Sequence, residues 1–340
     1  MKVNMLLKLA VFAAATGFAT AYAAEPITWT IGTIHTVGSS YDMNANKIPE
    51  RIEKATNGRL KIKLYDTLVK GTDQPGAVKR GELDGSFAVN PWISTEAPIL
   101  NIGTLPGLIT TTGFYKKVLD GFLRDEMVKI WDSKYNSKML NTGVFEINCV
   151  FSKGPITKVG DFAGKKIRVH NNAAADLIMN VKAVPTNVDF GEIVPAMQRG
   201  IVDAIMTSAG TATGMHIYDV ADNINMWDIG TIISWSFIIN NDKWDELPDD
   251  LKPIVAEEFK KLEEEHYANI DEYNKQLIKG LEAKGMVVNN ISPDELSKLF
   301  SQDNTKSVYD NWYKLAKDNV DKAKELVTKI EEMKASTGES

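Results

Sequence analysis

Apolar and polar residues alternate in blocks that predict strands and helices following one another along the chain. ITWTIGTI (27–34) and RLKIKLYD (59–66) have the short apolar pattern of strands. Between them, an amphipathic stretch at 43–56 predicts a helix that Asn57 and Gly58 end. The order of strand, helix and strand predicts a βαβ unit, so we expect an α/β fold whose first sheet is largely parallel.

One pattern occurs twice, in AVKRGELDGSFAVN (77–90) and in AMQRGIVDAIMTS (196–208). In each copy the end of a helix is followed by Arg-Gly and then by a short apolar strand next to an aspartate. Gly81 and Gly200 suit the left-handed residue that closes a helix. The repeat predicts two α/β lobes. Because ligands bind beyond the carboxyl ends of strands in open α/β sheets, both strand ends should face one cleft.

Further along, GKKIRVH (164–170) predicts another strand, and residues 244–285 begin with turn residues and then become a long charged helical tract. Acidic and basic residues four apart mark a solvated helix face, and irregular apolar heptads disfavour the alternative of a coiled coil. Asp189 and Glu192 have the spacing of a capping box. Pro195 then requires the helix to start nearer Ile193 or to be kinked.

The amino terminus, residues 1–23, combines basic residues, an apolar stretch and small residues before Ala24. This pattern is typical of a secretory signal peptide cleaved after Ala23. A membrane anchor is the alternative, but polar residues and a glycine interrupt the apolar run, and a span needs about 20 predominantly apolar residues. We therefore expect a protein that is exported and not inserted in a membrane.

Composition narrows the function classes. The chain is 44% hydrophobic and 25% charged, which is typical of a globular protein. Its formal net charge of −6 becomes −8 when Lys2 and Lys8 leave with the signal peptide, and no basic cluster remains to bind nucleic acid. Cys149 is the single cysteine, so no internal disulfide can form.

With these features together, the chain resembles the solute-binding subunits of tripartite ATP-independent periplasmic (TRAP) transporters. The resemblance covers essentially the whole mature chain. It rests on KIPERIEKATNGRLKIKLYDTLVKGTDQPGAVKRGELDGSFAV, ITKVGDFAGKKIRV, VPTNVDFGEIVPAMQRGIVDAIMTS and WDELPDDLKPIVAEEF.

The resemblance implies a two-lobed periplasmic binding protein fold with a hinge and a long helix spanning its back. It implies a monomer in the periplasm that closes on a small organic acid anion and delivers it to TRAP membrane subunits. No catalysis and no cofactor are implied. On this pattern we assign 24–147 with 234–276 to lobe I, 148–233 with 277–333 to lobe II, and 334–340 to a flexible tail.

Arg168 matches the family's arginine that holds the ligand carboxylate, and guanidinium geometry fits a carboxylate. The alternative is a salt bridge to a protein acid such as Asp189 or Glu192. Phe190 matches the aromatic residue that packs on the ligand, and Thr207 stands where many relatives have asparagine. His170 follows Arg168 at the same strand end and is a further candidate contact.

Loops of the first lobe supply the other candidates, which are His35, Tyr41, Asp73, Asn90 and Trp92. Asp73 can equally be a helix cap, because it precedes Gln74-Pro75. Asn90 stands at a strand end where some relatives carry a polar or acidic contact.

One departure from the family changes the expected ligand. Many relatives have a second arginine on the strand entering lobe II, and here Ile147 or Asn148 stands in that place. A dicarboxylate or sialic acid ligand is thereby disfavoured, and Asn148 can act as a neutral donor. Trp235, with Trp92 and Phe190, predicts either an aromatic pocket for a monocarboxylate with an apolar body or ordinary core packing.

Other function classes have weaker support. The histidines are His35, His170, His216 and His266, and none of their spacings indicates a metal site. Cys149 and His170 could form a nucleophile and base pair, but no orienting residue accompanies them. A binding protein that serves a sensor or another importer is a further alternative, since such proteins share this architecture.

Overall fold

The computed structural model describes residues 25–230 and 232–338, so the predicted signal peptide lies outside the described residues. Its strands are β1 Ile27–Gly32, β2 Leu60–Tyr65, β3 Gly85–Val89, β4 Ser137–Val144, β5 Asn148–Ser152, β6 Lys166–Arg168, β7 Val184–Thr186, β8 Ala204–Ser208, β9 Asn223–Met226, β10 Ser234–Asn240 and β11 Val287–Asn290. Its helices are α1 Ser40–Ala55, α2 Gln74–Lys79, α3 Thr112–Val118, α4 Arg124–Tyr135, α5 Asn172–Asn180, α6 Ile193–Gln198, α7 Ala209–Gly214, α8 Asn241–Asp245, α9 Leu251–Ala283, α10 Pro293–Leu299, α11 Gln302–Ala316 and α12 Val320–Thr337.

The first sheet has the order β2-β1-β3-β10-β4. Strand β1 pairs with β2 and β3 in parallel, as the βαβ pattern predicts, whereas β10 runs antiparallel to both β3 and β4. The first sheet is therefore mixed, and the expectation that it is largely parallel was wrong. Helix α1 connects β1 to β2, and it begins where the Ser39 side chain accepts a hydrogen bond from the Asp42 amide. The helix ends before Asn57 and Gly58, which both have positive φ.

The second sheet has the order β11-β9-β5-β8-β6-β7 and is likewise mixed. The chain crosses from the first sheet to the second between β4 and β5, and returns between β9 and β10. These two short connections join the lobes. The predicted α/β architecture with two lobes is therefore confirmed.

The repeated sequence pattern has a repeated structural role. Asp84 and Asp203 each precede a strand, and each side chain accepts a hydrogen bond from the neighbouring strand, from the Thr30 amide at 2.7 Å and the Lys166 amide at 2.8 Å. Gly81 and Gly200 close the preceding helices at φ +74° and φ +70°. The two aspartates thereby fix each strand beside its parallel neighbour in equivalent ways.

Helix α9 is 33 residues long and contacts both lobes, as the charged tract predicts. Val255, Phe259 and Leu262 are buried in the core of the first sheet. Leu277 and Leu281 are buried in a core beneath the second sheet. One rigid helix thus runs along the back of both lobes.

Some local features differ from the sequence predictions. The strand at GKKIRVH has only three residues in strand conformation, Lys166–Arg168. The Asp189 side chain makes no capping hydrogen bond, so the predicted capping box is absent, whereas helix α6 begins at Ile193 as one of the two alternatives for Pro195 predicted. Helix α12 extends to Thr337. Residues 334–337 of the predicted flexible tail are therefore helical.

None of the helices in the described parts of the chain is long and apolar enough to cross a membrane.

Candidate ligand-binding cleft

A cavity of about 920 Å³ lies between the two sheets. From the first lobe it is lined by loops that follow β1, β2 and β3, and from the second by segments that follow β6 and β7. Residues of the two lobes that face it include Ile34, His35, Asp66, Lys70, Trp92, Arg168, His170, Asn171, Val188 and Phe190. The cavity therefore occupies the position at the carboxyl ends of parallel strands where α/β proteins bind ligands.

Arg168, the last residue of β6, is 5% exposed and lines this cavity. Its single hydrogen bond within the described residues runs from Nη1 to the Met206 carbonyl at 3.0 Å. Nε is buried without a partner. The edge of the guanidinium formed by Nε and Nη2 is consequently unused, and this edge is one that binds a carboxylate through two parallel hydrogen bonds.

No described carboxylate pairs with Arg168. Asp189 contacts Lys70 at 3.4 Å, and Glu192 contacts Arg199 at 3.1 Å. Burial alone lowers the pKa of Arg168 to about 10, and the guanidinium still carries its charge at neutral pH. The salt bridge that the sequence left open as an alternative is therefore absent between these residues.

His170 lies two residues beyond Arg168 and also lines the cavity. Neither of its ring nitrogens has a hydrogen-bond partner. Burial, reinforced by the positive charge of Arg168, lowers the pKa of His170 to about 3. The ring is therefore neutral at physiological pH and offers one donor and one acceptor.

Two aromatic rings face each other across the cleft, Trp92 from the first lobe and Phe190 from the second. Their centroids are 6.4 Å apart with an interplanar angle of 62°. Both side chains are half-buried and line the cavity. Between them they form an apolar wall near Arg168.

A small recess of about 40 Å³ continues from the cavity and is shared by Arg168, His170 and Phe190. Thr207 lines this recess from β8, together with Ile233, which precedes β10. Its lining is mainly apolar, so it suits the apolar part of a ligand.

The other basic side chains at the cleft lie beside acidic ones. His35, which is largely exposed, lies 3.4 Å from Asp66. Lys70 and Asp189 form a contact between the lobes and are both exposed. Exposed pairs of this kind contribute about 0–1 kcal/mol to stability. Arg168 is thus the cation in the lining that has no acidic partner among the described residues.

Four of the candidate residues are placed elsewhere. Tyr41 is fully buried, and its hydroxyl donates to the Phe87 carbonyl at 2.6 Å. Asn90 is also buried, donating to Ser234 and accepting from Ser236, so it fastens the end of β3 to β10. Their polar atoms are used in holding the first sheet together.

Trp235 packs in the core of the first sheet, stacked on Phe87 with centroids 4.4 Å apart. Gly143 on the neighbouring strand leaves room for the indole, since a Cβ there would lie 2.1 Å from it. Asp73 is exposed and is not among the residues that line the cavity. Of the two alternatives for Trp235, ordinary core packing is therefore the one observed, and the side chain does not line the cavity.

Asn148, one of the two residues at the place where the resemblance implies a second arginine, is 2% exposed. Its Nδ2 donates to the Ile229 carbonyl at 2.6 Å, and its Oδ1 has no partner. It lies beside His170, because a Cβ built on Gly230 would be 3.4 Å from His170 Nε2 and 3.7 Å from Asn148 Nδ2. Asn148 therefore supports the back of the site without lining the cavity.

Sequence reasoning did not select Lys70, Asp66 or Asn171 as residues of the cleft. Asn171 caps α5 by accepting a hydrogen bond from the Ala174 amide at 2.9 Å, and its Nδ2 is buried without a partner. Its position directly after Arg168 and His170 could have indicated from the sequence that it lies at the cleft. The first turn of α5 faces the cavity through Asn172 and Ala175, and a helix amino terminus favours an anion.

Cys149 does not line the cavity or its recess. It is 1% exposed, and its Sγ lies 3.6 Å from Met226 Sδ. Burial, together with Asp228, raises the pKa of the thiol. Within 25–230 and 232–338, no group of three or more His, Cys, Asp or Glu side chains could hold a metal ion.

The family profile described as bacterial extracellular solute-binding protein, family 7, matches residues 31–315. The chain is 25% identical over 261 residues to the sialic acid-binding periplasmic protein SiaP of Vibrio cholerae, covering 74% of this chain and 79% of that protein. It is 25% identical over 256 residues to the C4-dicarboxylate-binding periplasmic protein DctP of Rhodobacter capsulatus, covering 72% and 74%.

Solved structures share the fold. DctP7 of Bordetella pertussis, an extracytoplasmic solute receptor binding pyroglutamic acid, has a TM-score of 0.81 and 20% identity over 88% of this chain and 99% of that one. A TRAP periplasmic solute-binding protein of Desulfovibrio salexigens with bound orotic acid has a TM-score of 0.81 and 18% identity, covering 91% and 99%.

Proposed function

Because this chain belongs to family 7 of the bacterial extracellular solute-binding proteins, as its resemblance to TRAP solute-binding subunits predicted, we propose that it captures a small organic acid anion in the periplasm and delivers it to a TRAP-type membrane transporter. The anion's carboxylate binds to Arg168. The protein acts as a monomer and does not catalyse a reaction.

The unpaired guanidinium of Arg168 carries this proposal. A buried charge without a partner is costly, and such a group persists where function requires it. Arg168 lines the cavity between the two lobes, and the Nε and Nη2 edge of its guanidinium makes no hydrogen bond to any described residue. A carboxylate that arrives there supplies both the countercharge and two hydrogen bonds.

The charges of the cleft favour a monocarboxylate. Lys70 and His35 already lie beside Asp189 and Asp66, and Ile147 or Asn148 stands in the place where the resemblance implies a second arginine. A second carboxylate would therefore find no unpaired lysine or arginine among the described residues that line the cavity. Similar proteins with bound pyroglutamic acid or orotic acid show that this fold accommodates acids with cyclic bodies, which would suit the Trp92 and Phe190 rings.

Binding couples to closure of the lobes. In the open form water reaches Arg168, and closure brings Trp92 of the first lobe against Phe190 of the second and expels water. Closure also strengthens the bond between guanidinium and carboxylate, because the local dielectric constant falls. The connections between the sheets and the long helix α9 would guide this motion.

The test is a thermal-shift screen of the mature protein against monocarboxylates, dicarboxylates, aromatic acids and sugar acids, with and without calcium. A ligand that binds the folded state raises the melting temperature. Arg168→Ala should weaken the best ligand about thirtyfold or more, because loss of a buried charged contact costs about 2–5 kcal/mol. Arg199→Ala, which removes an exposed arginine of the same lobe, is the matched control. Unchanged binding by Arg168→Ala would refute the assignment.

An enzyme with Cys149 and His170 as nucleophile and base has little support. The raised pKa of the thiol disfavours the thiolate that such a reaction needs. A binding protein that serves a sensor or another importer has no observation of its own in its favour, so delivery to a TRAP transporter remains the proposal.

A further inference from the structure

Buried polar atoms without partners are concentrated at one place in the molecule. Ten such side-chain atoms occur among the described residues, and five of them belong to four neighbours, Arg168, His170, Asn171 and Asn148. Buried polar groups are nearly always hydrogen-bonded, and exceptions call for an explanation. Arg168 needs a carboxylate, but the carboxylate alone leaves the amide and imidazole groups unexplained.

His170 is the clearest of these unexplained groups. Its two nitrogens are enclosed and unpaired, while its ring borders both the cavity and the recess. The Met206 carbonyl accepts a hydrogen bond from Arg168 and lies close enough to His170 to act against the lowering of its pKa, but neither ring nitrogen has the geometry of a hydrogen bond to it. Gly230, at φ +61°, adds no side chain of its own next to His170 Nε2, where a Cβ would lie 3.4 Å away.

Arg168 and His170 are two residues apart at the end of β6. His170 lies in a bend after the strand, and both side chains line the cavity and its recess. One small molecule bound there can therefore contact both side chains. A carboxylate on Arg168 would place the adjacent carbon of the ligand toward His170 and the Nδ2 of Asn171.

We propose that His170 is a specificity-determining residue, which selects monocarboxylates that carry a hydroxyl, oxo or amide group on the carbon next to the carboxylate. This inference rests on the proposed binding of a carboxylate by Arg168. The substituent hydrogen-bonds to a ring nitrogen of His170, and the Asn171 amide supplies a further donor. Side-chain rotation on binding, which is common, presents the nitrogen to the ligand.

The electrostatics agree with a neutral polar substituent. Burial and Arg168 keep the imidazole uncharged, so it cannot balance a second carboxylate. A neutral imidazole can donate to an oxo group or accept from a hydroxyl or amide N–H. An acid that lacks this substituent leaves the buried nitrogens unpaired and should bind less tightly.

The experiment uses acids in matched pairs, measured by isothermal titration calorimetry on the mature protein. The pairs are 2-hydroxy-3-phenylpropanoate with 3-phenylpropanoate, and 2-hydroxy-4-methylpentanoate with 4-methylpentanoate, with 2-oxo forms in a third arm. We expect the substituted acid to bind about tenfold more tightly or better in whichever skeleton binds.

Variants assign the effect to His170. His170→Phe keeps a ring without nitrogens, so the ratio of the two affinities within a pair should fall below about threefold. His170→Gln restores a donor and an acceptor, and should recover part of the preference. The melting temperature of each unliganded variant checks that it is folded.

The outcomes separate this inference from the proposed function. If both members of a pair bind wild-type protein equally, or if His170→Phe keeps the full preference, the role of His170 is refuted while carboxylate binding stands. If no carboxylate of any skeleton binds, or if Arg168→Ala leaves both members unaffected, the proposed function is refuted and this inference with it.

Discussion

At the scale of single residues, several ionisable groups are buried, and the surroundings of each group determine whether it is charged. Arg168 stays charged, whereas His170 and His266 are neutral, because burial lowers the pKa of each histidine to about 3. His266 on α9 accepts a hydrogen bond from the Val144 amide at 3.0 Å. That amide ends β4, just before the chain crosses to the second lobe.

His266 should make stability depend on pH. Its pKa is about 6.5 in an unfolded chain and is lowered in the folded protein, so the unfolded state binds the proton first. Its contribution to stability is complete above pH 6.5 and is lost as the pH falls toward 3. We expect His266→Gln, which offers an uncharged acceptor, to reduce the decrease in melting temperature between pH 7 and pH 4.5.

The melting temperatures of the wild type and of His266→Gln at pH 7 are the reference for this comparison, because the buried imidazole is uncharged there. An equal decrease in melting temperature for His266→Gln and the wild type would contradict the role given to His266.

At the scale of elements, the lobes come closest where α7 passes the loop between β1 and α1. Gly214, the last residue of α7, lies against this loop, because a Cβ there would be 1.5 Å from the Val37 carbonyl oxygen. A Cβ on Gly210 would lie 2.6 Å from Glu146 Oε2. Glu146 itself accepts hydrogen bonds from the Ser40 amide of α1 and, at 2.9 Å, from the Ser208 hydroxyl. Because Gly210 and Gly214 have no side chains, the backbones of the two lobes can pass close to each other here. We call this close approach the tight crossing.

Gly214→Ala should therefore destabilise the protein, because the collision involves backbone atoms that cannot rotate away. A backbone displacement of this kind costs about 1–3 kcal/mol, which would lower the midpoint of chemical denaturation. It should also weaken ligand binding if the crossing guides closure.

Gly280 in α9 is the matched control, since a Cβ there meets nothing within 4 Å. Gly280→Ala should stabilise the protein by about 0.5–1 kcal/mol through its helix propensity. Tolerance of Gly214→Ala equal to that of Gly280→Ala would refute the tight crossing.

At the scale of the whole molecule, the carboxyl-terminal helices unite the lobes. In α11, Trp312 Nε1 donates to the Pro98 carbonyl of the first lobe at 3.0 Å. The same helix accepts at the Asn304 carbonyl from Asn180 of the second lobe at 2.6 Å, and Asn311 donates to Asp176 at 3.0 Å. One continuous apolar core contains residues of both lobes and of these helices.

Because this core is shared, we expect the two lobes to unfold in a single transition. Trp312→Ala removes a large side chain that is 3% exposed, and should lower the free energy of unfolding by about 3–5 kcal/mol. Calorimetry together with circular dichroism would detect the transition, and Tyr313→Ala, a half-buried neighbour, should have a smaller effect. Two separated transitions in the wild type would contradict this view.

The sequence by itself determined the fold class, the family and the arginine most suited to a carboxylate. These properties depend on patterns that are local in the chain, such as the period of apolar residues, the glycines after helices and the string GKKIRV. Asp84 and Asp203 could be recognised as equivalent because each follows the same local pattern of helix end, Arg-Gly and strand. Each side chain accepts a hydrogen bond from the neighbouring strand.

Only the tertiary structure decided which candidates face the cleft. Trp92 and Trp235 are alike in sequence terms, but one lines the cavity and the other stacks on Phe87, because pairing between distant strands sets the direction of each side chain. The sequence also left open whether Asp189 forms a salt bridge with Arg168. In the structure Asp189 contacts Lys70, which lies 119 residues earlier in the chain. Contacts between residues so far apart have no local signal in the sequence, whereas they determine which charge remains for a ligand.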